Sequence, residues 1–247
     1  MPEPTPLVLL HPFPLDASFW SGVAPRLAAD REVVTCEFPG LGAAPAVEAP
    51  SVDGFADTVA VTIAGMRGGR AAVCGLSLGG YTALSLVARH PARVAALVLA
   101  DTRAEPDAPE AAEGRHRAAA VVRESGSAPF LDDFVPPLVA PGEHDALAAA
   151  RAIADAQAPE GIARALEALA GRADRRPDLA RIEAPTLVVV GSEDALTPLP
   201  FSETLAEGIL DAELVVIEGA GHLSALERPE EFAAAVGGFL ARRLGTA

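Results

Sequence analysis

The sequence predicts an α/β protein, with a mostly parallel sheet of about six strands flanked by helices and one helical insertion. Three observations carry that prediction. Short apolar runs, four to seven residues long, recur along the 247-residue chain and are rich in Val, Ile and Leu rather than alternating with polar residues. Strands covered on both faces have this composition. Between several of the runs lie segments with apolar residues at helical spacing. One long stretch without a strand then interrupts the alternation.

In chain order, the strand candidates are Leu7–Leu10, Glu32–Phe38, Ala71–Cys74, Val94–Ala100, Thr186–Val190 and Leu214–Ile217. The helical segments between them are Phe55–Met66, Gly79–His90 and Glu230–Leu244. The second carries Leu84, Val87 and Ala88 on one face and is stopped by Pro91. Strands alternating with helices imply right-handed crossovers. From Arg103 to about Pro177 no strand is expected. Gly114–Glu124, Asp145–Gln157 and Glu160–Gly171 are expected to be helical, and Pro129, Pro136, Pro137 and Pro141 break up the chain between them. About 75 residues are too many for a plain crossover. The expectation is a core of residues 1–102 and 178–247 with a helical cap, 103–177, over one edge of the sheet.

Half of the residues are hydrophobic and 21% are charged, enough apolar material for a buried core. No apolar run approaches the roughly 18 residues needed to cross a bilayer, which excludes a membrane-spanning role. There are 19 basic residues, all Arg, against 34 acidic ones, for a net charge of −15. Such a chain repels phosphate backbones and anionic membrane surfaces, so neither nucleic acid nor membrane is an expected partner. Cys36 and Cys74 make neither a disulfide framework nor a metal set and are expected to be buried small hydrophobes in strands. The first residues lack a basic region and a long apolar core, so no signal peptide is expected and the cytoplasm is the default compartment.

The most informative stretch is Gly75-Leu76-Ser77-Leu78-Gly79. A strand runs into Gly-x-Ser-x-Gly and a helix follows at once. A nucleophilic serine has to stand clear of the sheet at a helix N-terminus, where the dipole favours developing negative charge. A sharp strand-to-helix turn achieves this, small residues on either side permit the close approach, and the N–H of Leu78 is aimed at a future oxyanion.

A serine hydroxyl needs a base, and the base needs an acid to orient it. The chain has five histidines. His90 ends a helix and is expected to cap it or contact carbonyls there, while His116 and His144 lie in the insertion as solvated side chains. His11 follows the first strand. His222 lies in Gly219-Ala220-Gly221-His222, after the last strand, where a glycine loop can deliver it to the sheet edge that carries Ser77. The acid is expected at another strand end. Asp194, in Gly191-Ser192-Glu193-Asp194, is the first choice, Glu193 is its neighbour, and Asp101 after Val94–Ala100 is the alternative. Otherwise Asp101 would support the turn at Thr102–Arg103. The order Ser77, Asp194, His222 suits residues hung on successive parallel strands.

These segments, with His11-Pro12-Phe13-Pro14, Phe38-Pro39-Gly40-Leu41-Gly42, Arg89-His90-Pro91-Ala92-Arg93-Val94 and Ala184-Pro185-Thr186, resemble the α/β-hydrolase fold superfamily over nearly the whole chain. The chain looks most similar to its small esterase and lactonase branch, which includes 3-oxoadipate enol-lactonases and cofactor-free haloperoxidase-like esterases. The resemblance implies a serine hydrolase acting on a carboxylic ester or lactone, without cofactor or metal, and makes Arg103–Pro177 one wall of the acyl pocket. It also implies a second oxyanion donor in the N–H of Phe13. Two features depart from the family. His11-Pro12 stands where relatives usually carry His-Gly, and proline fixes φ and lacks an N–H. Only about six residues precede the first strand, where relatives usually have a two-stranded hairpin.

Phe13, Trp20, Phe130 and Phe134 are candidate pocket residues, and the expected partner is a small, apolar ester or lactone. Arg103 and Arg123 are the insertion arginines that could pair a carboxylate, but no strongly basic cluster is expected to face the site. Other activities compatible with the same triad are carbon–carbon bond hydrolysis, a lyase reaction and a perhydrolase reaction. A non-catalytic binding protein of the same fold is the alternative outside enzymology.

Overall fold

The computed structural model describes residues 4–29 and 31–245. Six strands, β1 (Leu7–Leu10), β2 (Val33–Cys36), β3 (Ala71–Leu76), β4 (Val94–Ala100), β5 (Thr186–Gly191) and β6 (Ala212–Ile217), form one sheet in the order β2-β1-β3-β4-β5-β6. Every pairing is parallel. All six expected strands are present. β3 runs two residues beyond Cys74, because Gly75 still pairs with both β1 and β4 and Leu76 pairs with β4. β1, β3, β4 and β5 are buried along their whole length, as their unbroken apolar runs require. β2 and β6 are the edges and stay partly exposed, with Leu214 and Val216 facing solvent. Among the described residues no strand precedes β1.

The helices are α1 (Ala24–Leu27), α2 (Val52–Gly65), α3 (Leu78–Arg89), α4 (Pro109–Ser125), α5 (Ala128–Phe134), α6 (His144–Asp155), α7 (Pro159–Ala170), α8 (Leu199–Gly208), α9 (Ser224–Glu227) and α10 (Pro229–Leu244). Their ends follow local chemistry. Ser51 caps α2 by accepting from the N–H of Gly54. Proline opens α4, α7 and α10, where its missing N–H costs nothing. For the same reason Pro129 starts α5 rather than breaking the chain, a helix the proline count had concealed.

The segment between β4 and β5 holds α4 to α7 and no strand. α4 lies along α7, and Arg123 bridges them through Glu160 and Glu167. Gln157, buried just after α6, ties this segment to the rest of the chain. Its Oε1 accepts from Gly42 N at 2.8 Å, and its Nε2 donates to Asp16 Oδ2 at 2.8 Å.

The turn from β3 into α3 positions the site. Ser77 sits at φ 52°, ψ −110°, a conformation uncommon for a residue with a side chain. Its N–H donates to Ala100 O at 3.0 Å, and its carbonyl accepts from Thr102 Oγ1 at 3.0 Å. A Cβ on Gly75 would lie 2.1 Å from Gly79 O, and a Cβ on Gly79 would lie 2.1 Å from Leu10 O on β1. The obstacles are backbone atoms and cannot swing aside. Gly75→Ala and Gly79→Ala are therefore each expected to cost about 3 kcal/mol or to prevent folding. Gly65→Ala, in α2 with nothing within 4 Å of the new Cβ, is expected to change stability by no more than ~1 kcal/mol. Urea unfolding of the three variants checks the contrast.

Candidate active site

Because all six strands are parallel, their C-terminal ends share one edge of the sheet. Ser77 follows β3, Asp101 follows β4, Asp194 lies beyond β5 and His222 lies beyond β6. The four therefore gather at the same edge. Asp194 Oδ2 lies 2.9 Å from His222 Nδ1, with both side chains buried. Asp194 Oδ1 accepts from the N–H groups of Leu196 and Thr197 at 2.9 Å, and Oδ2 accepts from Thr197 Oγ1 at 2.7 Å. Burial alone would raise the pKa of this carboxyl. The His222 charge and hydrogen bond, with the Thr197 donors, outweigh burial and hold it below the usual aspartate range. A carboxylate accepting at Nδ1 puts the ring proton there and leaves Nε2 free to act on another group. Glu193, the neighbour, is exposed.

Asp101 has a different position and role. It is fully buried at φ 44°, accepts from Gly191 N at 2.9 Å through Oδ1, and is hydrogen-bonded through Oδ2 to Ser224 Oγ. It joins the end of β5 to the loop that carries His222, rather than supporting the turn at Thr102–Arg103. Burial first, then the Asp194 charge, pushes its carboxyl well above the usual range, so it keeps its proton more tightly than an exposed aspartate.

His11 is buried at the end of β1. Its Nε2 accepts from Phe38 N at 3.3 Å, so Nδ1 carries the proton and donates to Pro12 O at 3.0 Å. Burial holds the ring neutral, with its pKa lowered to about 4. Pro12 is thus compatible with a loop anchored to the Phe38 segment, and the Phe13 N–H engages no described backbone carbonyl. Leu78 is the first residue of α3, so its N–H has no intrahelical acceptor either.

A small cavity of about 30 Å³ opens beside Ser77. Phe13, Phe134, Leu169 and Leu196 supply its apolar wall, and Tyr81, Thr197, Arg103 and Arg115 the rest. Phe130 stacks on Phe134 at 5.0 Å, behind that wall. Trp20 lies elsewhere. It is fully buried against Phe19 at 4.8 Å and Phe232 at 5.9 Å, a core residue rather than a pocket residue. Of the two insertion arginines singled out, Arg103 lines the space, whereas Arg123 is held by Glu160 and Glu167. Arg115, eight residues before Arg123 and so about 80° away around α4, lines it instead. The expectation that no basic cluster faces the site is corrected accordingly.

Other expectations resolve more simply. His90 is the C-cap of α3, its N–H donating to Leu86 O, and its Nε2 lies 2.6 Å from Asp57 Oδ1. His116 and His144 are exposed. Cys74 is buried in β3 and Cys36 half-buried in β2, both as free thiols. No helix among the described residues is long and apolar enough to cross a membrane.

Sequence reasoning missed Glu227. Its Oε2 accepts from Gly221 N and Ala140 N, both at 2.9 Å, and Leu223 N donates to Leu138 O at 3.0 Å. The loop around His222 is thereby stitched to the insertion. Next to Arg228 and Pro229 at a helix start, an acid looks like a solvated first-turn residue, and nothing local signals that it turns inward. Glu227→Ala leaves two buried donors unpaired and is expected to cost about 2–3 kcal/mol. Glu227→Gln keeps an acceptor for both and is expected to cost less than about half of that, measured by urea unfolding.

The sequence matches the Alpha/beta hydrolase family over residues 7–235. It is 34% identical over 247 aligned positions to the pimeloyl-[acyl-carrier protein] methyl ester esterase of Aromatoleum aromaticum, covering 92% of this chain and 94% of that protein. It is 30% identical to 3-oxoadipate enol-lactonase 1 of Acinetobacter baylyi, covering 97% of this chain and 90% of that one. Among solved structures, a malate-bound thermophilic esterase from Thermogutta terrifontis superposes with a TM-score of 0.94 at 32% identity, over 97% of this chain and 90% of the other. With the family match spanning the entire sheet, and with relatives aligning nearly end to end, the chain belongs to the alpha/beta hydrolase family.

Proposed function

We propose that the protein is a serine hydrolase that cleaves a carboxylic ester or lactone through an acyl-enzyme. The observation that carries this reading is the buried Asp194–His222 pair, 2.9 Å apart, at the sheet edge where Ser77 stands at the start of α3. The relatives named esterase and enol-lactonase support the substrate class.

In the proposed reaction His222 Nε2 takes the Ser77 hydroxyl proton as Oγ attacks the acyl carbon. The carbonyl oxygen becomes an oxyanion, which the N–H groups of Leu78 and Phe13 stabilise. Each donor contributes on the order of 3 kcal/mol in the transition state. Collapse breaks the C–O bond, and the alcohol leaves with the proton from His222. Water, deprotonated by the same imidazole, then releases the acid and regenerates Ser77. Every atom in this sequence comes from the ester, water and these side chains. Residues 103–177 act as the cap, with Arg115 of α4, Phe134 of α5 and Leu169 of α7 closing over the acyl group.

Ser77→Ala is expected to lower steady-state hydrolysis of 4-nitrophenyl acetate by at least ~10³-fold. Near-normal turnover would end the proposal. The two candidate acids separate on isosteric replacement. Asp194→Asn withdraws the charge that orients His222 and is expected to lower kcat by about 10³-fold. Asp101→Asn keeps an acceptor for Gly191 N and, where Oδ2 now accepts from Ser224 Oγ, offers an amide N–H that the rotatable hydroxyl can accept, and is expected to stay within about tenfold of the parent. The reverse ranking would make Asp101 the acid.

A further inference from the structure

We infer that Arg103 and Arg115 form a carboxylate-binding subsite in the Ser77 pocket, so that the substrate is an ester or lactone carrying a free carboxylate. The substrate class rests on the hydrolase reading; the subsite itself rests on the geometry of the two arginines.

Both arginines line the same small cavity as Ser77. Each uses only part of its donor set within the protein. Arg103 donates from Nη2 to Asp107 Oδ1 at 3.1 Å, and Arg115 donates from Nε to Asp107 Oδ2. Among the described residues, Arg103 Nη1 and both Arg115 Nη atoms have no acceptor, and Arg103 Nε is buried without a partner. A buried guanidinium donor without an acceptor is costly and calls for an explanation.

The local charge points the same way. Asp107, with its side chain 1% exposed, is shared by Arg103, Arg115 and Arg172, whose Nη2 lies 2.8 Å from Asp107 Oδ1 as an ion pair outside hydrogen-bond alignment. Glu105 and Asp53 are the other carboxylates in the cleft beside Arg103 and Arg172, and Asp53 is paired there with Arg175, leaving Glu105 as the second anion of the group. Three cations against these two anions leave one positive charge in a chain whose net charge is −15. An acidic protein gains nothing for folding from keeping that charge beside its catalytic serine, whereas an anionic ligand would neutralise it.

The cluster is also built to hold its shape. Arg172 stacks over Tyr81 at 4.5 Å and donates to Glu105 O and Leu169 O, so it faces its own support and fixes Asp107. Asp107 in turn orients both pocket guanidiniums, and Arg103 lies 5.1 Å over the Phe201 ring. Preorganised forks of this kind suit a planar carboxylate. Phe13, Phe134 and Leu196 line the same cavity and supply the apolar surface that an aliphatic linker between that carboxylate and the acyl carbon would lie against.

The test uses a matched pair, 4-nitrophenyl hexanoate and 4-nitrophenyl hydrogen adipate, equal in chain length and differing by one carboxylate. The wild-type enzyme is expected to favour the adipate by at least about tenfold in kcat/KM, and Arg103→Gln or Arg115→Gln to bring that ratio toward one through KM. A purely structural role would lower both activities together and leave the ratio intact, overturning the proposal, as would a wild-type ratio at or below one. Calorimetry on Ser77→Ala, with monomethyl adipate against methyl hexanoate, reads the subsite without turnover. At least about tenfold tighter binding of the adipate, lost on adding Arg103→Gln, supports it, and equal binding overturns it. If wild-type enzyme hydrolyses neither ester, the hydrolase reading fails, and the calorimetry still decides the subsite.

Discussion

The structure depends on how closely helix α3 approaches the sheet. Gly75 and Gly79 leave no room for a methyl group between α3, β3 and the end of β1, and this contact lifts Ser77 into its unusual backbone conformation. The strain of that conformation is offset by burial of α3 along nearly its whole length and by the bonds from Ser77 N to Ala100 O and from Thr102 Oγ1 to Ser77 O. The sheet is parallel throughout, so the same edge that raises Ser77 receives the loops after β4, β5 and β6.

Bringing carboxylates together at one buried edge creates an electrostatic problem, and the fold divides the charge unequally. Asp194 stays ionised because His222 and the Thr197 donors surround it. Asp101, with Gly191 N and Ser224 Oγ as partners, has no cationic partner among the described residues and is pushed toward its neutral form. One carboxyl can orient an imidazole while the other serves as a polar strut between two loops. Glu227 acts as a third brace, from the His222 loop to the insertion. The His222 loop is thus held on several sides.

Much of this was legible in the sequence, for identifiable reasons. Buried parallel strands announce themselves as unbroken Val, Leu and Ile runs, and Ser77 and His222 stand out because glycines flank them beside such runs. Residues whose partners are distant in sequence were harder to read. Glu227 is a helix-start acid by every local sign, yet it bonds to Ala140, 87 positions away. Trp20 looked like a pocket aromatic and packs on Phe232, because aromatic rings suit a core as well as a cleft. Arg115 and Arg123 differ only in helical phase, and phase around α4 is set by packing against α7, which no local pattern reveals.

The most direct measurement of the central claim is site-resolved covalent labelling with a fluorophosphonate, followed by intact mass and peptide mass spectrometry. A single adduct on the peptide containing Ser77, absent from Ser77→Ala and formed at least ~10³-fold more slowly in His222→Ala, is the predicted result. A folded wild-type protein that takes no label, or takes it on another residue, would contradict the account.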